Sequence, residues 1–132
     1  MILSHTSAKL IGLTGLTNLA FWLLWPSGIV RVASLDWGPA AAGLFGSAAW
    51  FAVLVALPLA SWLVVRIGHR NVVLLATASI LAAALGTAFG PSGHFEWLWT
   101  VLLGFGTGLR WIACGSWIAD VTPPERIGRV LS

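Results

Sequence analysis

Arg66-Ile67-Gly68-His69-Arg70 separates two long stretches, 39–65 and 71–89, in which no residue carries a formal charge. Two arginines with a glycine between two apolar stretches of membrane length read as a tight turn held on one side of a bilayer. The glycine frees the backbone for the reversal, and the arginines stay among water and headgroups. A membrane-spanning helix needs roughly 20 apolar residues at about 1.5 Å rise each. Working outward from the turn, 10–32 and 97–119 also meet that length, so four spans are expected. Ser34-Leu35-Asp36-Trp37-Gly38 and Gly90-Pro91-Ser92-Gly93-His94 are short links, which make antiparallel neighbours. The expected fold is all-α: an integral membrane up-down bundle of four transmembrane helices, forming one domain over residues 1–132. The stretch 39–65 would reach about 40 Å if straight, against a hydrocarbon core of about 30 Å, so it should tilt or kink, with Pro58 as the kink site. Pro26 and Gly28 predict an irregular end to the first helix.

Composition points the same way. The chain has 132 residues, 58% hydrophobic and 8% charged. A soluble domain carries about 25% charged residues, and so short a chain cannot hide this much apolar surface from water. The net charge of +3 comes from lysines and arginines set mostly at helix ends, with no basic run, which excludes nucleic acid as a partner. The single cysteine, Cys114, supports neither a disulfide framework nor a metal cluster and reads as a small core residue. His5, His69 and His94 are terminal or loop residues without a second ligand beside them, so no metal site is expected. No serine, histidine and acid set and no paired carboxylates sit at catalytic depth, so the chain does not read as an enzyme. Gly104-Phe105-Gly106-Thr107-Gly108 lacks a preceding strand and a following acceptor aspartate, so it is not a nucleotide site, and no cofactor is expected. The first apolar run is long and has no small-residue cleavage site, so it reads as a retained helix.

Charge sets the expected orientation. Lys9, Arg66, Arg70, Arg126 and Arg129 fall on one side, and Arg31 falls on the other with Asp36 and Glu96. The positive-inside rule places both termini and the Arg66–Arg70 turn in the cytoplasm of a multi-pass protein of the plasma (cell inner) membrane. Trp25, Trp37, Trp62, Trp97, Trp99 and Trp117 lie near span ends and read as interfacial anchors. Trp22, Trp50 and Trp111 lie deeper and either pack or line a cavity. Gly43 with Ser47, and Gly104 with Gly108, have the four-residue spacing that lets helices approach closely.

Thr122-Pro123-Pro124-Glu125 has a capping residue, prolines in the first turn and an acid after them, a helix-start signature. Residues 120–132 are therefore expected to be a cytoplasmic link that begins a further helix: either a short cytoplasmic helix ends the protein or, the favoured reading, the chain is the front part of a longer polypeptide.

Arg110 is the sharpest functional candidate. It lies near the middle of the fourth span, where a charge costs about 2.5–3.5 kcal/mol on insertion scales. The four acids, Asp36, Glu96, Asp120 and Glu125, all lie at membrane edges, so Arg110 must use carbonyls, a polar neighbour, water, a further helix or an anionic ligand. Asn18, at similar depth in the first span, is the natural polar neighbour, within a patch that includes Thr14 and Thr17. Two readings stay open: a brace within the bundle, or a cavity cation that meets substrate. Trp111 is a cavity candidate beside it.

Taken in order, three stretches give the chain a family resemblance. Ser61-Trp62-Leu63-Val64-Val65-Arg66-Ile67-Gly68-His69-Arg70 resembles the loop motif between helices two and three of the major facilitator superfamily, which runs Gly, three variable residues, Asp, Arg, one variable, Gly and two basic residues. Arg66, Gly68 and Arg70 match, and His69 stands at the first basic position. The glycine-rich fourth span with Arg110 is similar to that family's fourth-helix motif, and Pro123-Pro124-Glu125-Arg126-Ile127-Gly128-Arg129 to its link into helix five. Ser61 replaces the motif glycine, Val65 replaces the latch aspartate, Ile127 interrupts the Arg-Gly pairing, and Gly115 falls one position late after Arg110.

The resemblance implies about twelve helices in two halves, each half of two inverted three-helix repeats, with helices one and four lining a central cavity. It implies a secondary transporter for a small solute, with this chain a portion not competent alone and the remaining transporter helices as its partners in the lipid bilayer. Two alternatives stand beside it: a four-helix accessory or assembly subunit of a larger complex, and a compact dimeric multidrug exporter. The exporter would need a membrane carboxylate that the first span lacks.

Overall fold

The structure, a computed structural model, describes residues 5–91 and 93–121. The helix start at Thr122–Glu125, Arg126, Arg129 and the Pro123–Arg129 link lie outside the described residues. Four helices follow one another in antiparallel order: α1 His5–Ala33, α2 Gly38–Ile67, α3 His69–Phe89 and α4 Phe95–Val121. All four are long and apolar enough to cross a membrane. The fold is an all-α membrane bundle, and each helix runs past its apolar run at one or both ends.

The turn between α2 and α3 is a single residue. Gly68 has φ 81° and ψ 157°, a region closed to residues with a side chain, and its N–H still bonds Val64 O. Asn71 Nδ2 caps the end of α2 by donating to Ile67 O at 2.8 Å. At the other end of the bundle Asp36 takes φ 56° in the α1–α2 link, and Trp37 stacks on His94 of the α3–α4 link at 5.4 Å.

Helix α4 is the centre of the bundle, packed extensively against both α2 and α3, which touch each other little. Its glycines explain this. A Cβ on Gly104 would run into the Ala49 backbone, and one on Gly108 would lie 2.7 Å from Ala56 Cβ. Gly106 faces the other way, where a Cβ would lie 2.8 Å from Ala76 O on α3. Lipid tails are as apolar as leucine, so close packing of this kind replaces the hydrophobic drive of soluble folds. The core along α4 includes Ala56, Ala60, Val72, Ala76, Leu109, Ala113 and Cys114. Hydroxyls that cannot find water turn inward: Thr17, Ser27, Thr77, Thr87, Thr107 and Ser116 each donate to the carbonyl four residues earlier.

Two expectations are corrected here. Helix α1 does not become irregular at Pro26 and Gly28 but continues to Ala33. A span in lipid has no water to take up freed backbone groups, so the helix carries its proline, and Gly28 is needed because Phe45 packs 3.0 Å from where its Cβ would be. Gly43 and Ser47 make no close helix contact: both are exposed, and nothing lies within 4 Å of a Cβ at Gly43.

Candidate functional site

Arg110 is fully buried, the largest side chain enclosed in the bundle. Gly108 draws α4 against α2, while α1 lies along the remaining side of α4, and the guanidinium reaches across to α1. Its Nη1 donates to Thr14 O at 3.0 Å and its Nη2 to Asn18 Oδ1 at 2.6 Å. Trp111 Nε1 donates to the same oxygen at 3.3 Å. Asn18 and Trp111, two of the residues named from the sequence, thus meet Arg110 in one constellation. Arg110 Nε and Thr14 Oγ1 are buried at the same contact without partners. Among the described residues no carboxylate reaches Arg110: the two ion pairs lie at the ends of the bundle.

An aromatic seam continues from this centre. Trp50 of α2 lies 6.3 Å from Trp111, Phe21 and Trp25 of α1 meet Trp50 at 5.5 and 6.0 Å, and Trp22 packs on Phe21 and Trp25 at 5.8 and 6.1 Å. Most of these pairs are edge to face, the arrangement ring quadrupoles favour. Trp25, expected as an interfacial anchor, instead belongs to this seam and donates to Gly46 O at 3.1 Å. Gly46 lets α1 approach α2 closely, so its carbonyl gives the indole N–H a partner inside the bundle.

The turn residues sit apart from the centre. Arg66 lies over the Trp62 ring at 4.9 Å, a cation–π contact that holds it at the membrane edge, and Arg70 is exposed. His69, read from the sequence as a loop residue without a second metal ligand, has its Nε2 3.4 Å from Asp120 Oδ2 at the end of α4, and its ring faces Trp117. Helix register brings the two ends together, which neither loop discloses alone. At the opposite end Arg31 pairs with Glu96 at 2.8 Å and also donates to Thr87 O, so α1, α3 and α4 are tied by one side chain. Glu96 is only 2% exposed. The charge count had placed these two on one side without pairing them. Among the described residues no group of three His, Cys, Asp or Glu could hold a metal.

Four apolar spanning helices around an enclosed cation define a multi-pass membrane protein. The family model for the Major Facilitator Superfamily matches residues 10–132, and the chain belongs to that family of transporters. It is also 27% identical over 119 residues to the putative metabolite transport protein YfiG of Bacillus subtilis (strain 168), covering 90% of this chain. The chain spans about a quarter (24%) of that relative's length. No solved structure matches it.

Proposed function

We propose that this chain is the leading portion of a secondary transporter of the plasma membrane that moves a small solute, with Arg110, Asn18 and Trp111 on the solute path. The observation that carries this reading is the buried cation at mid-depth, held by an amide and a carbonyl with no carboxylate in contact among the described residues. A charge so placed is expensive and is kept in membrane proteins chiefly at substrate and ion pathways. The match to a metabolite transport protein supports the same reading.

Four helices cannot rock two halves about a midplane site, so the activity belongs to the longer polypeptide, whose further helices are the partners of this portion. It performs no covalent chemistry and uses no cofactor. The arginines of the Gly68 turn put that turn and both termini of the portion in the cytoplasm. With Val65 at the latch position and Arg66 over Trp62, the turn anchors the cytoplasmic face.

The test is uptake by the full-length transporter in cells and in proteoliposomes. Arg110→Ala should insert at normal levels and lose transport by about two orders of magnitude, the scale expected when a pathway charge is removed. Unaltered uptake by Arg110→Ala would reduce Arg110 to a brace and sink the proposal.

A further inference from the structure

We infer that the open side of the α1–α2–α4 seam binds a planar aromatic anion, which makes aromatic carboxylates the substrate class. The inference rests on the transporter reading above and adds what is moved. Its starting point is exposure. Trp22 is 57% and Trp111 39% exposed at mid-depth, with the half-buried amide of Asn18 on the same side. A free amide donor facing hydrocarbon would be unpaired at high cost, so in the longer transporter this side faces water or a further helix and not lipid tails.

The polar groups here are one-sided. Arg110 and Trp111 are both donors toward Asn18, so only the oxygen of the amide can face them. That oxygen is used twice. The Nδ2 group, two N–H donors, turns to the open side and has no partner among the described residues. Arg110 adds a positive charge and a buried Nε without an acceptor. Of the described acids, Glu96 is paired with Arg31 and Asp120 with His69 at opposite ends of the bundle, and Asp36 lies in the α1–α2 link. Apart from the buried Thr14 hydroxyl, the site therefore offers donors and positive potential, with no charged acceptor among the described residues to match them.

Three chemistries can be sorted against it. A sugar brings hydroxyl donors in number, and the site would leave their protons unpaired. An organic cation suits aromatic rings, but it would meet the field of Arg110 with no counter-charge. A carboxylate brings acceptors alone and suits both the Nδ2 donors and the charge. The rest of the surface selects the body of the ligand. Trp22 packs edge to face on Phe21 and Trp25, and Trp111 meets Trp50 at a tilt of 48°, so broad ring surface on both exposed tryptophans is uncovered. A flat aromatic ring stacks on such surface.

The test uses the full-length transporter in proteoliposomes with radiolabelled benzoate. Uptake should saturate and be competed by indole-3-carboxylate, while benzyl alcohol, tetraphenylphosphonium and glucose compete at least about tenfold more weakly. Asn18→Asp preserves size and the acceptor for Arg110 and Trp111 but replaces the free donors with negative charge. It should insert normally and raise the apparent KM for benzoate at least about tenfold. An unchanged KM in Asn18→Asp would overturn the site. Arg110-dependent uptake of glucose or tetraphenylphosphonium without benzoate would overturn the substrate class and leave the transporter reading standing. Failure of every solute to cross would remove both.

Discussion

Adding one methyl group at Gly108 tests the packing on which the bundle depends. A Cβ there would lie 2.7 Å from Ala56 Cβ, 2.8 Å from Val53 O and 3.2 Å from Val53 Cα. Carbon atoms rest comfortably at about 3.5–4.0 Å, so α4 would have to retreat from α2 by close to 1 Å. It has nowhere to go, because Gly106 already puts α4 against α3, where a Cβ would stand 2.8 Å from Ala76 O and 2.9 Å from Ile80 Cγ1. Overpacking of this kind costs about 1–3 kcal/mol. Alanine recovers up to about 1 kcal/mol in helix propensity, leaving Gly108→Ala destabilised by about 1–2 kcal/mol, near tenfold in the folded-to-unfolded ratio. Gly106→Ala should behave alike from the other face. Gly12→Ala on α1 is the control: nothing lies within 4 Å of its Cβ, so it should be neutral or stabilised by a few tenths to about 1 kcal/mol. The assay is unfolding of the purified full-length protein from mixed micelles, followed by helical circular dichroism. If Gly106→Ala and Gly108→Ala prove as stable as Gly12→Ala, the wedged packing of α4 is wrong.

Gly68→Ala must adopt φ 81° with a side chain and should cost about 1–3 kcal/mol in the same assay, whereas Arg70→Ala should cost little. Glu96→Gln removes the charge from a carboxylate buried against Arg31; because Arg31 is partly exposed, we expect a loss of about 1–3 kcal/mol, which Arg31→Gln in the same chain should partly recover in a double-mutant cycle. Arg110→Lys keeps the charge but cannot span Thr14 O and Asn18 Oδ1 together, so its uptake should fall between wild type and Arg110→Ala. A cysteine placed at His94 should react with an impermeant maleimide from outside intact cells, and one at Arg70 only after permeabilisation.

The four spans are legible because an uninterrupted apolar run has few other places to go, and the Gly68 reversal because two charges and a glycine break it. The meeting of Asn18 and Arg110 was also within reach, since depth in the membrane can be counted along each run. Rotation about the helix axis cannot. Gly43 with Ser47 and Gly104 with Gly108 share a spacing, yet only the second pair faces a neighbour, because the direction of a face depends on what has packed beside it. The same holds for Trp25, whose distance from the helix end suggested an anchor while its azimuth put it in the seam. Arg31 with Glu96 and His69 with Asp120 depend on which helix ends align, a property of the assembled bundle. Pro26 misled because rules drawn from water-exposed helices overstate what a proline does where the freed carbonyl finds no solvent.

The bond from Arg110 to Thr14 and Asn18 has a consequence for how the chain is made. Its acceptors sit on the first of the four helices to be synthesised and its donor on the last of them. When α4 leaves the ribosome, α1 is already in the bilayer, and the guanidinium can be lowered into the membrane against a carbonyl and an amide oxygen that are in place. The α2–α3 hairpin must open to admit the glycine faces of α4 at the same moment. Entry of the fourth helix is therefore conditional on the first. Loss of the acceptor itself, as in Asn18→Ala, should appear as stalled translocation of a segment far downstream, with part of the nascent chain degraded.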